Sequence, residues 1–178
     1  MKFDYTTIRQ AVYNTIIAEP NNRFVFNDDD RYINQIKLGR IITNPPFPAI
    51  LIYSSRKTER HETIGYAPTP YIYMNIRIVD RFPNSQEPPA LATALGLSDN
   101  RVITEEESDK VLDLILDTLE EWLRGDNTVE GRERRKLNLP DRVIIALPMD
   151  ANWGIDSYQN LVLRWVDLTL EIRLNRLT

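Results

Sequence analysis

Few side chains in this sequence have the type and spacing that catalysis uses. His61 is the only histidine and lies in Arg60-His61-Glu62, within a polar stretch. An imidazole can serve as a general base. No serine–acid pattern lies near it in sequence, although triads assemble in space; a solvated loop residue is the plainer reading. Asp28-Asp29-Asp30 offers carboxylates of the kind that hold calcium or magnesium. The alternating spacing and glycine of an EF-hand loop are missing, so the run reads as a solvated turn. Asp141 and the distant Glu171-Ile172-Arg173 have the residue types of a metal-dependent nuclease site, which needs paired carboxylates and a nearby cation. Here the cation is arginine rather than lysine, and Glu171 fits the polar side of an ordinary strand. With no cysteine there are no disulfides, thiolate nucleophiles or cysteine-ligated metal clusters. No glycine-rich loop is present to cradle phosphate. The expectation is a protein that is not an enzyme, with no catalytic, cofactor-binding or metal residues, acting by fitting against other proteins.

Three features suit such contacts. Arg132, Arg134, Arg135 and Lys136 form a basic run. It can touch nucleic acid phosphates, but no aromatic residue is interleaved for base stacking. The acidic face of a neighbouring subunit, or solvent, suits it as well. Asp109, Asp113, Asp117, Glu120 and Glu121 line one face of a helix and read as a solvated face; lining a DNA channel, they would repel phosphates. Tyr71, Tyr73 and Trp165 fall on strand faces opposite the core. Exposed aromatics are enriched at interfaces, while packing under a long loop explains them equally. The candidate subunit interface is therefore Tyr71, Tyr73, Arg132, Arg134, Arg135, Lys136 and Trp165.

The elements that must position these residues come from a chain of 178 residues with net charge −4. Residues 1–178 read as a single domain, long enough to bury a real core. The mild acidity is the wrong sign for a protein that grips duplex DNA by its phosphates. No run reaches the about 18 apolar residues of a membrane helix, and the N-terminus carries no signal stretch. A soluble protein made in the cytoplasm without export is expected. Prolines 45, 46, 48, 68, 70, 83, 88 and 89 cluster between elements and stiffen long connections.

Ile8, Val12 and Ile16 recur every four residues and predict a helix from Tyr5 to Ala18, with Asp4 as N-cap. Phe24-Val25-Phe26 reads as a short strand. Tyr32 to Ile42 suits either a short helix or a strand. Pro48 to Tyr53 reads as a buried strand and Ser54 to Pro70 as a polar connection. In Tyr71 to Val79, Ile72, Met74, Ile76 and Ile78 share one face of a strand. Arg81 to Asn100 is an excursion with a short helix at Pro89 to Leu95. Thr104 and Glu107 have capping-box spacing, and Gly125 is the expected stop. Between them Val111, Leu112, Ile115, Leu119, Trp122 and Leu123 form an apolar stripe. Arg142 to Leu147 predicts a central strand, Pro148 to Tyr158 a loop, and Leu161 to Leu174 a closing strand. The fold expected is α+β: a two-layer, mostly antiparallel β-sheet with two main helices packed on one face.

That layout resembles the tail terminator (tail completion) proteins of long-tailed bacteriophages. The resemblance rests on the opening helix with Ile8, Val12 and Ile16, the strand Phe47 to Tyr53, and a polar loop with Gly65-Tyr66. It continues through the strand Tyr71 to Ile78, the helix Ser108 to Arg124 and the closing strand. The excursion Arg81 to Asn100 and the insert Val129 to Pro140 have no match in it. It implies a structural virion protein that forms a ring, usually hexameric, at the head-proximal end of the tail tube. Such a ring stops tube growth and docks the neck. The implied partners are further copies of the chain and the tail tube protein, with sheath and neck or connector proteins beside them. DNA would meet it only in passing through the lumen, and no membrane is involved. The implied location is the tube–neck junction of the virion, after synthesis in the host cytoplasm. Another neck, connector or tube protein is the near alternative, and a metal-dependent nuclease or hydrolase the distant one.

Overall fold

A computed structural model of the chain describes residues 5–40, 46–60, 68–84, 86–158 and 161–175. Five strands form one sheet in the order β1-β2-β3-β5-β4: β1 Gln35–Leu38, β2 Ala49–Arg60, β3 Thr69–Phe82, β4 Val143–Tyr158 and β5 Leu161–Leu174. Only β1 and β2 run parallel; the other three pairings are antiparallel. The helices are α1 Tyr5–Ile17, α2 Pro89–Leu95, α3 Glu105–Arg124 and α4 Val129–Arg135. The expected two-layer α+β fold is present, with β3 at the centre of the sheet.

The main core lies between the sheet and the two long helices. Ile8, Val12 and Ile16 of α1 meet Leu112, Ile115 and Leu119 of α3 over Ile72, Met74, Ile76 and Ile78 of β3. The even positions of β5 from Val166 to Leu174 complete this floor. The α3 N-terminus is fixed by its capping box. The Glu107 amide donates to the Thr104 hydroxyl at 3.2 Å, and the Thr104 amide donates to the Glu107 carboxylate at 3.0 Å. Gly125 follows its last turn at φ 63°, a conformation that favours glycine. The Trp122 indole donates to the Thr15 carbonyl at 2.7 Å and ties α3 to α1.

Four local expectations are corrected. Phe24 to Phe26 is no strand but part of a run of turns, in which the Val25 amide donates to the Asn22 carbonyl. Asn22 and Asn27 sit at positive φ, which asparagine tolerates, and the fully buried Phe24 anchors the run. Ser54 to Arg60 does not leave the sheet: it continues β2, while Thr69 and Pro70 begin β3, so a polar sequence runs along a strand. The apolar run Val143 to Leu147 is at the edge of the sheet rather than its centre, because β5 turns back between β3 and β4. Pro148 to Tyr158, expected as a loop, continues β4. The pairing absorbs Pro148 through a shift between Pro148 and Ala151, and an edge strand tolerates proline and glycine.

The excursion after β3 is anchored by buried acids. Asp80 is fully buried and Glu87 is 3% exposed. Asp80 accepts the Arg81 amide at 2.8 Å, and Glu87 accepts the Asn84 side-chain amide at 2.7 Å. Their remaining oxygens, Asp80 Oδ2 and Glu87 Oε2, are buried without a hydrogen-bond partner among the described residues. Burial raises both carboxyls, and two neighbouring acids in a dry site disfavour both being ionised.

Candidate interaction surface

The sheet face turned away from the helices is built from the alternate residues of its strands. Tyr71, Tyr73, Asn75 and Arg77 come from β3, and Trp165, Asp167 and Glu171 from β5. Arg77 grips Asp167 with two hydrogen bonds, and its guanidinium lies 4.0 Å from the centre of the Trp165 ring. Tyr53 donates to the same carboxylate at 3.2 Å. Four residues along each strand, Tyr73 donates to Glu171 at 2.7 Å, and Arg60 pairs with Glu171 at 3.2 Å. Burial raises the Tyr53 and Tyr73 hydroxyls above the ordinary phenol range, which keeps both protonated as donors.

Tyr71 and Tyr73 therefore lie on the face expected, but not as exposed aromatics: they are 6% and 4% exposed. Arg56 lies over the Tyr73 ring and Arg60 over the Tyr71 ring, both from the adjacent strand. Trp165 is half-buried, and its ring crosses above Gly154 of β4. A Cβ on Gly154 would stand 2.1 Å from that ring, so glycine is required there.

The exposed apolar surface lies instead on β4. Ile144, Met149, Trp153 and Ile155 are half of the eight exposed large hydrophobics among the described residues. β5 is the only described strand that pairs with β4, so its other edge carries free backbone donors and acceptors. Trp153 and Ile155 form one wall of an open cleft of about 520 Å³; Leu112, Asp109 and Asp113 of α3 form the other, with Arg164 at the floor. Burial raises the Asp113 carboxyl above its usual range, opposed by a hydrogen bond from Trp153 and aided by the charges of Asp109 and Asp117. The period-two alternation of Trp153 and Ile155 with Asn152, Gly154 and Asp156 was a strand signal, masked by Pro148 and Gly154.

The basic run falls on α4, at the far end of α3 from this cleft. Arg134 is committed within the chain. Its guanidinium stacks 3.3 Å from the centre of the Trp122 ring and donates to the Trp122 carbonyl at 3.2 Å. Lys136 pairs with Glu133 at 3.2 Å. Arg132 is exposed and Arg135 half-buried. Of the acidic residues on α3, Asp109 pairs with Arg164 of β5 and Asp113 lines the cleft beside it, while Asp117 is exposed on the outer side. The seven interface candidates thus fall into two separate groups, the outer sheet face and α4.

Of the residues considered for chemistry, His61 lies outside the described residues. Asp28 caps its own turn, accepting the Asp30 amide at 2.9 Å. Glu171 is engaged by Arg60 and Tyr73 and pairs with Leu147 across the sheet, well along β4 from Asp141. Among the described residues no three acids or histidines converge on a point where a metal ion would fit.

No protein-family model matches the sequence, and no curated protein matches it. A solved structure entitled "Virion of native gene transfer agent (GTA) particle" contains a similar chain. The alignment covers 97% of this chain and 98% of that one, at 8% identity and a TM-score of 0.48.

Proposed function

We propose that this chain is a structural virion protein without enzymatic activity, and specifically a phage tail terminator that forms a ring on the head-proximal end of the tail tube. The observation that carries the reading is the free edge of β4 with its four exposed hydrophobics. A long, apolar, unpaired edge is an aggregation hazard in a monomer. Closed cyclic assembly satisfies every such edge and leaves none open. The order of elements that resembles tail terminators supplies the particular role. In this reading the tube protein and the neck are the axial partners. Arg132 and Arg135 of α4 serve as rim charges that guide orientation more than affinity.

Two measurements test it. Native mass of the purified protein, alone and with tube ends, should give a closed oligomer on the tube if not in free solution. Imaging of purified tails should place the protein at the tube–neck junction, and tails assembled without it should have irregular lengths. Tubes of correct length in its absence rule the terminator role out. A ring found along the tube or on the head would favour the tube or connector alternative.

A further inference from the structure

Resting on the ring reading, we infer that the cleft between α3 and β4 receives the outer face of α4 from a second copy of this chain. Arg132 of that copy would sit beside Asp113, and its Val129 against Trp153 and Ile155. The cleft is acidic and apolar at once. Trp153 and Ile155 are 56% and 63% exposed on its β4 wall, and Leu112 reaches it from α3. Of its acids, Asp109 is already paired with Arg164, which also donates to the Glu105 carbonyl at 3.0 Å. Asp113 and Asp117 follow one and two turns along α3, both exposed. The described ion pairs of α3 use Glu106, Asp109 and Glu120 instead of these two. Asp113 takes a hydrogen bond from Trp153, which holds the indole beside the carboxylate. A guanidinium suits such a place, because it stacks on an indole face and pairs with a carboxylate.

The outer face of α4 has the complementary chemistry. Val129, Arg132 and Lys136 are spaced three and four apart and share one side of the helix. Val129 is 63% exposed, as far out of place in water as Ile155. Lys136 is held by Glu133 and Arg134 by Trp122, whereas Arg132 is exposed and has no ion pair among the described residues. The wider charges agree: Glu105 to Arg124 holds eight acids and two cations, and Val129 to Lys136 holds four cations and two acids. Cleft against cleft, or α4 against α4, would set like charges together, which is costly across an interface. The two patches lie at opposite ends of α3, so a copy does not seat its own α4. The contact that remains joins unlike patches of two copies, the heterologous kind that closes rings.

The absence of native cysteine makes the test direct. Val129→Cys and Ile155→Cys are placed in one chain, checked for an unchanged reduced melting temperature, and oxidised on tube ends. The contact predicts a reductant-sensitive ladder that reaches beyond two copies, and no ladder from either single variant. A covalent product that stops at two copies means a reciprocal two-fold exchange and overturns the ring contact. A second measurement needs no disulfide. Asp113→Arg should slow assembly at low salt several-fold, and adding Arg132→Asp should restore it. No ladder together with no rescue overturns the contact. Loss of tube binding in Asp113→Arg without that rescue overturns it too, and gives the cleft to the tube protein. Native mass separates the failures: closed rings without the ladder leave the terminator reading standing, and a chain that stays monomeric even on tube ends removes both.

Discussion

Arg77 and Asp167 face each other across β3 and β5, joined by hydrogen bonds of 2.7 and 2.6 Å between residues 90 apart in sequence. The pair is part of a polar network with Tyr53 and Asn75 on the sheet face that carries no helix. Arg77→Ala leaves a largely buried carboxylate without its cation, at a cost of about 3 kcal/mol. Arg77→Lys cannot restore the two-point contact or the stack on Trp165. Urea unfolding of Arg77→Ala, Asp167→Ala and the double variant measures the coupling; additive losses would show that the pair is not a unit.

Asp80 and Glu87 make stability depend on pH. Burial pushes Asp80 up to about 7 and Glu87 up to about 9. Both are above the unfolded range, near 4, so the folded chain binds the proton more tightly. The contribution is fully present below that range and is lost as pH rises through about 7 to 9. Glu87→Gln removes the ionisation and should flatten the fall in melting temperature between pH 5 and pH 9. Parallel profiles for the two proteins would count against burial having raised this pair.

Ile115 is the centre of the α3 stripe and has no solvent exposure. Ile115→Ala should cost about 2–5 kcal/mol by leaving a cavity over β3. A loss below about 0.5 kcal/mol, the ordinary range for a surface change, would place this face of α3 in solvent.

Gly154→Ala drives a methyl group into the Trp165 ring and displaces it from Arg77. Overpacking of this kind costs about 1–3 kcal/mol. Tryptophan fluorescence should shift with the loss of stability; an unchanged spectrum and melting temperature would show that the ring does not lie over β4.

The two arginines at the end of α4 should behave differently. Arg134→Glu removes the stack on Trp122 and should cost about 1–2 kcal/mol. Arg135→Glu should change stability by less than about 0.5 kcal/mol. Reversing both therefore does not leave the monomer unperturbed, and any effect on ring assembly must be read from Arg135 alone. Equal losses from the two variants would mean that the Trp122 stack contributes nothing.

Local chemistry made much of the architecture legible in the sequence. The four-residue recurrence of Ile8, Val12 and Ile16, the Thr104–Glu107 box and Gly125 located the two long helices, because those signals act within a turn or two of backbone. The alternation of Ile72, Met74, Ile76 and Ile78 against Tyr71, Tyr73 and Asn75 assigned β3 and both its faces. Pro89 to Leu95 was read to the residue.

The order of strands was not available in this way. Val143 to Leu147 is equally apolar at an edge or a centre, and only the return of β5 beside β3 decides which it is. That return places β4 at the rim and leaves Trp153 and Ile155 exposed. The polar stretch after Tyr53 could stay in the sheet because β3 supplies its pairing partners, and Arg56 and Arg60 then cover the tyrosines that alternation had marked as outward. The Asp80–Glu87 and Arg77–Asp167 pairs arise from the same cause. A single sequence states which groups are charged, but burial and partnership are set by segments that meet only when the chain is folded.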